Sequence, residues 1–289
     1  MAKRNEEPDD PRPIRRLLRR LVKAPAAWSL IWPLLLIVAS YFAMTRWYAE
    51  YLADQYRSID PQLVSVSQPH RYVRSDIVDE VYRATDLAKL SPLDRQATAK
   101  LASAFASHPW VRHVQSVRKL PGGKVDVQLE YRVPVAVFHV TSDKHPVDSN
   151  LYFVLDGEGV LLPTEKMTLD DTPDFIHIEV REAYPSGEEG TPFGDRRVES
   201  AALLAKLLMA VREQIRIAKI TVSGDPRMNL VPQLELITGN NTRLFWGSPP
   251  GMEQPGERQA RSKLVDLLQG NFVQGSDLRI AETPQSGRK

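Results

Sequence analysis

The chain has 289 residues with 38 basic and 36 acidic side chains and no cysteine, so disulfides, thiolate nucleophiles and cysteine-based metal sites are excluded together. Its first 23 residues hold eight basic and four acidic side chains, which leaves 30 against 32 beyond them. A slightly acidic bulk argues against a nucleic-acid groove, which wants a basic face.

Residues 24–45 form a run of 22 positions without a charge. As a helix this run reaches about 33 Å, enough for a hydrocarbon core of roughly 30 Å, and Pro33 is tolerated in such helices. The basic start predicts a cytoplasmic N-terminus and an exported C-terminal bulk, a single-pass type II arrangement. Trp28 and Trp32 at one end, with Tyr41, Trp47, Tyr48 and Tyr51 at the other, fit the aromatic belts of the two interfaces. A cleaved signal has a shorter apolar core, and the best small-x-small site here, Val38-Ala39-Ser40, lies inside the run. Before it, Ile14, Leu17, Leu18, Leu21 and Val22 stand at helical spacing among arginines. That pattern is read as a basic amphipathic helix on the inner leaflet or as a plain positive-inside flank. About 240 residues remain outside, enough for one large or two small domains.

The membrane helix is expected to continue past Arg46 until Asp60-Pro61 stops it. Leu63, Val64 and Val66 then suggest a short strand. Ser75 caps a helix with acids in its first turn, and Ser91-Pro92 opens a second, which His108-Pro109 ends. Val125, Val127, Leu129 and Tyr131 alternate with Asp126, Gln128 and Glu130, a strand wet on one side. Residues 110–120 pair with it across Pro121-Gly122-Gly123, and Pro134 ends the hairpin region. A second unit begins with a hairpin around Asp156-Gly157-Glu158. A polar loop over 170–195 with a strand at 175–180 follows, then one buried helix over 198–215. Strands at 217–223, 229–237 and 242–246, an amphipathic helix over 257–268 and a short strand over 277–281 complete the chain.

The fold class is therefore α+β: one N-terminal transmembrane helix, a small α/β module with helices on one face of a short sheet, and a mixed α+β domain whose sheet is rich in antiparallel pairs. The divisions fall at a cytoplasmic tail 1–23, a membrane helix 24–46, a juxtamembrane linker 47–61, a first module 62–140, a second domain 141–282 and a tail 283–289.

Chemistry-bearing motifs are sparse. His70, His108, His113, His139, His145 and His177 show no metal-ligand spacing, so they read as surface or structural residues. Asp156-Gly157-Glu158-Gly159 lacks the alternating oxygens of a calcium loop, and Gly239-Asn240-Asn241 is a turn with no phosphate-binding lysine after it. There is no Gly-x-Ser-x-Gly elbow, and Asp170 and Asp171 lie in loop sequence. No catalytic residue, metal, cofactor or small-molecule substrate is expected.

His108-Pro109-Trp110-Val111, Val117-Arg118-Lys119-Leu120-Pro121, and Arg132-Val133-Pro134-Val135-Ala136 after Val127 and Leu129 resemble the POTRA module of the FtsQ/DivIB cell-division family. Leu155-Asp156-Gly157-Glu158-Gly159-Val160-Leu161 is similar to the hairpin heading that family's second domain, and Asp277-Leu278-Arg279-Ile280 to its closing strand. Tyr131 stands where the family usually has Glu and Ile280 where Tyr is common, and residues 141–150 look like an insertion. The resemblance implies a non-catalytic inner-membrane scaffold at the division septum. It also implies partners of the FtsB/FtsL (DivIC) coiled-coil type, bound through the distal domain.

A short edge strand offers unpaired backbone groups to which a partner segment can add. Asp277, Leu278, Arg279, Ile280 and Ala281 are the expected edge, with Arg258, Arg261 and Ser262 supplying side-chain contacts. The alternatives are a POTRA-containing assembly or secretion protein that binds polypeptide, and a membrane-anchored envelope enzyme. The strands are too few and short for the barrel of the first, and no set of convergent ionisable groups marks the second.

Overall fold

The computed structural model describes residues 25–55, 58–92, 94–140, 152–165, 167, 169–223, 231–270 and 272–280. The expectations for residues 14–23, 141–150 and 283–289, for His145 and for Ala281 lie outside the described residues. Two compact units divide at residues 58 and 59.

The first unit contains helix α1 (Pro25–Gln55), which runs through Pro33 without a break. Its side chains are described over residues 32–47. Trp32, Leu34, Leu36, Ile37, Tyr41, Phe42 and Met44, which point in all directions around the helix, are exposed. That stretch covers about 24 Å. Among the described residues no helix is long and apolar enough to cross a membrane.

The second unit opens with Asp60 capping a 3₁₀ turn, Pro61–Leu63. Strand β1 (Val64–Val66) then lies parallel to β3 (Val125–Tyr131), and β3 pairs antiparallel with β2 (Val111–Lys119). Gly122 and Gly123 take positive φ (78° and 75°) in the β2–β3 turn, a region closed to most side chains. Helix α2 (Ile77–Ala84) is capped by the Asp76 carboxylate, which accepts from the N–H groups of Val78 and Asp79; the cap is one residue beyond the serine expected for it. Helix α3 (Ala97–Ala106) also starts later than Ser91-Pro92 suggests. Asp94 instead accepts from the Gln96 N–H (2.9 Å), and Ala97, Leu101 and Phe105 turn one stripe onto the sheet.

Strand β4 (Pro134–His139) is where the sequence misleads most. Pro134 begins a strand and does not end one, a position where its missing N–H costs nothing. The strand belongs to a seven-stranded sheet of order β10-β9-β8-β7-β4-β5-β6. Its partners there are β5 (Tyr152–Asp156), β6 (Leu161–Leu162), β7 (Ile176–Glu179), β8 (Ile217–Ser223), β9 (Gln233–Thr238) and β10 (Arg243–Gly247). Only β4–β7 and β7–β8 are parallel; the other pairs are antiparallel.

The helix expected over 198–215 is two: α4 (Arg196–Met209) and α5 (Arg212–Ile215), parted at Ala210 and Val211. Ala201, Ala202 and Ala205 let α4 lie close on one face of the sheet, against Ala136, Phe138 and Ile178. Gly159 is required there: its φ is +77°, and a Cβ would stand 2.8 Å from the Glu199 Cα. The opposite face of β4 and β5 presents Val137 and Val154, which join Trp110, Val127 and Leu129 of the first module in one core. Coverage on both faces explains why 135–138 reads as an unbroken apolar run rather than an alternation. Helix α6 (Ala260–Gln269) is last and begins three residues later than expected.

Candidate functional site

The outer margin of the seven-stranded sheet gathers most of the residues singled out in the sequence. Beyond β10 the chain returns along its open edge. Gly275 N–H donates to the Arg243 carbonyl (2.8 Å), Phe245 N–H to that of Ser276 (2.9 Å), and Leu278 N–H to that of Phe245 (2.9 Å). Asp277 and Phe245 form one parallel bridge, so the strand expected over 277–281 is reduced within the described residues to a single bridging position.

The reason lies in the side chains. Leu278 turns inward and is 6 % exposed, and Arg279 folds back onto Asp277, with Nε on Oδ1 (2.9 Å) and Nη2 on Oδ2 (2.6 Å). The Arg279 hydrogen bond is the largest influence holding the Asp277 carboxyl below its usual range. In a parallel bridge of this pattern the central residue directs its own N–H and C=O away from the neighbouring strand. Here that residue is Asp277. Ile280 is exposed beside it.

Arg258, Arg261 and Ser262 do not form one set. Arg258 precedes α6 and braces the margin: its N–H donates to the Arg279 carbonyl (3.0 Å) and its guanidinium pairs with Asp266. Arg261 and Ser262 lie exposed on α6. The cap of α6 is the Glu253 carboxylate, which accepts from the Ala260 N–H (3.0 Å).

Sequence reasoning passed over the pair that anchors this region. Lys263 is fully buried, with Nζ donating to the Trp246 carbonyl (2.7 Å) and to Glu257 Oε1 (2.6 Å). Nζ also sits 5.1 Å from the centre of the Trp246 ring. Glu257 accepts from the N–H groups of Ser248 (2.8 Å) and Gln254 (3.1 Å). Burial would raise its carboxyl, but the Lys263 ammonium and these donors hold it at about 2. The one available signal was a lysine on an otherwise apolar helix stripe with Ala260 and Leu267. Gly247 lies against the same cluster at φ +91°, where a Cβ would come 2.4 Å from Glu257 Oε1 and 2.5 Å from the Arg279 Cγ.

Residues 64–132 match the family model for the POTRA domain, FtsQ-type. The first module is an FtsQ-type POTRA domain. The match is consistent with the FtsQ/DivIB family and points to a division-related scaffold engaged in protein–protein interaction. It ends two residues before β4, where the seven-stranded sheet begins. No curated protein matches the chain.

The POTRA domain is fastened to the sheet by more than the shared core. Arg132 at its end donates Nη1 to Asp156 Oδ2 (2.7 Å), a pair only 14 % and 4 % exposed. Asp156 Oδ1 meanwhile accepts from the N–H groups of Glu158 (2.8 Å) and Val160 (2.9 Å). Arg112 bridges Glu130 of the POTRA domain and Glu158 of the hairpin. Arg74 reaches Asp171 (2.7 Å), and the Tyr72 hydroxyl donates to Asp174 (3.1 Å).

The histidines also take structural places. His70 Nε2 lies 2.7 Å from the Arg132 carbonyl, and His113 is exposed. His108 accepts at Nδ1 from the Trp110 N–H (3.3 Å), which leaves Nε2–H to donate to Glu80 (3.0 Å). His139 and His177 stack on adjacent strands, with rings 2° from parallel, and burial lowers both below the usual histidine range.

Proposed function

We propose that the chain is a single-pass scaffold of the bacterial cell-division machinery, held in the inner membrane by the segment around α1 with its N-terminus in the cytoplasm. The FtsQ-type POTRA match is the observation that carries this reading. The charge-free run, its basic flank and the all-round apolar surface of α1 support the anchor. Its work is adhesion and not catalysis. The distal domain takes up a partner segment at its C-terminal margin, from a coiled-coil pair of the FtsB/FtsL type.

The geometry supports Asp277 as the receiving position. Both margins of the seven-stranded sheet are lined by irregular chain: residues 190–193 along β6 and residues 275–278 along β10. The second ends in an outward-facing backbone pair with exposed Ile280 alongside, the arrangement strand addition requires. Leu278→Pro is a poor test, because the Leu278 N–H and side chain already serve the sheet and core. Asp277→Pro removes the outward donor together with the carboxylate that holds Arg279, and Asp277→Ala, which loses the carboxylate but keeps the N–H, is its control. Capture of the coiled-coil pair by the full chain should drop at least tenfold while the thermal melt stays near that of the parent. Undiminished capture by a folded Asp277→Pro chain would refute the margin as the docking point.

A further inference from the structure

A cavity of about 170 Å³ opens at the junction of the POTRA domain and the seven-stranded sheet, far from the margin just described. Its wall on the POTRA side is Tyr72 and the turn His108-Pro109-Trp110; on the other side Met167 and the rim residues Glu165 and Glu189 close it. The two sites lie at opposite ends of the sheet. The chain leaves β6 directly into the cavity wall, and six strand spacings, roughly 29 Å, separate β6 from β10.

The charges around the cavity are unevenly matched. Arg74 is committed to Asp171, and the His108 Nε2–H to Glu80. Glu165 and Glu189 have no ion-pair partner among the described residues, and both are exposed at the rim. Partial burial, together with the negative charge of Glu165, raises the Glu189 carboxyl above its usual range against one opposing hydrogen bond from the Thr164 backbone. A cation entering between these carboxylates relieves both their repulsion and their desolvation.

The shape limits what that cation is attached to. Cofactor and drug-sized sites run from about 300 to 1,000 Å³, whereas a cavity of about 150 Å³ accommodates a single benzene. This cavity therefore admits one side chain. The Tyr72 ring is already engaged by the Arg71 guanidinium at 4.7 Å and by Phe175 at 5.1 Å, so it is Trp110, with the rim carboxylates, that suits an incoming guanidinium or ammonium group. We propose that the POTRA–sheet cavity is a second docking site, which receives the arginine or lysine side chain of a partner polypeptide. This rests on neither the C-terminal margin nor the identity of the partner bound there.

The test uses the full chain and four pentapeptides, Gly-Gly-Xaa-Gly-Gly, where Xaa is Arg, Lys, norleucine or Glu, in calorimetric titrations at low ionic strength. The Arg and Lys peptides should bind, and the norleucine and Glu peptides should not. Glu165→Gln combined with Glu189→Gln should weaken the Arg peptide about five- to tenfold, and added salt should do the same. Glu189→Lys, which brings its own cation, should abolish binding. Asp277→Pro should leave it unchanged, and the double glutamine variant should still capture the coiled-coil pair. Equal binding of the norleucine peptide overturns the proposal, as does a double variant that binds like the parent or a chain that binds no cationic peptide.

Discussion

Replacing Lys263 by Met tests whether a buried ion pair holds the C-terminal margin together. The ammonium is fully buried, Glu257 beside it is 7 % exposed, and the Trp246 carbonyl depends on the same donor. Methionine fits the space of the lysine stem but strands the Glu257 carboxylate in a low-dielectric site, at a cost of about 3–5 kcal/mol. Urea unfolding of the full chain, followed by tryptophan fluorescence, measures it. Combining Lys263→Met with Glu257→Gln removes the stranded charge, so the double variant should be more stable than the sum of the single losses predicts, by about 1–3 kcal/mol. The pH dependence gives an independent check. Glu257 is held at about 2 in the folded chain against an ordinary 4.5, so the unfolded chain binds protons first as pH falls. The stabilisation, on the order of 3 kcal/mol, is complete above about pH 4.5 and is lost as pH falls toward 2. Glu257→Gln should lack this component of acid sensitivity. A Lys263→Met chain within 1 kcal/mol of the parent, or single losses that simply add, would show that the pair does not couple.

Asp156→Ala should be among the most damaging changes at the POTRA–sheet junction. It takes from buried Arg132 the nearer of its two carboxylate partners, Glu158 Oε2 remaining at 3.2 Å, and frees two N–H groups, a loss of about 2–4 kcal/mol and roughly 10 °C in the thermal midpoint. Arg71→Ala, whose ion pair with Asp174 is largely exposed, should leave the same melt essentially unchanged. Gly247→Ala forces a side chain into a left-handed position against Glu257 and Arg279. It should destabilise the chain by about 1–3 kcal/mol and, by displacing Arg279, weaken partner capture alongside; a neutral melt would contradict the close packing seen there.

The POTRA domain was legible because its strands are wet on one side, so the period-2 alternation of residues 125–131 survives in the sequence. Strand β4 was not read as a strand because it is covered on both faces and starts with proline, so neither alternation nor the usual meaning of proline helped. The break between α4 and α5 left no mark, since Ala210 and Val211 fit an apolar helix as well as a turn. At the candidate site the residues singled out in the sequence do lie along one sheet margin, in a geometry other than the strand expected of them. Asp277-Leu278-Arg279-Ile280 reads as a strand, but Leu278 is drawn into the core and Arg279 is held by Asp277. Lys263 and Glu257 were passed over because charges six residues apart do not share a helix face. They meet only because Glu257 lies in the turn before α6.

The most direct test of the scaffold reading is where the chain goes in a dividing cell. A fluorescent protein fused to the N-terminus of the full chain, imaged with a uniform membrane marker, reports this without assuming any partner. The account predicts a band at the division septum that is lost or dimmed by Asp277→Pro if the coiled-coil partner also retains the chain there. An even envelope signal throughout the cycle, from a fusion that is full length and folded, would contradict it.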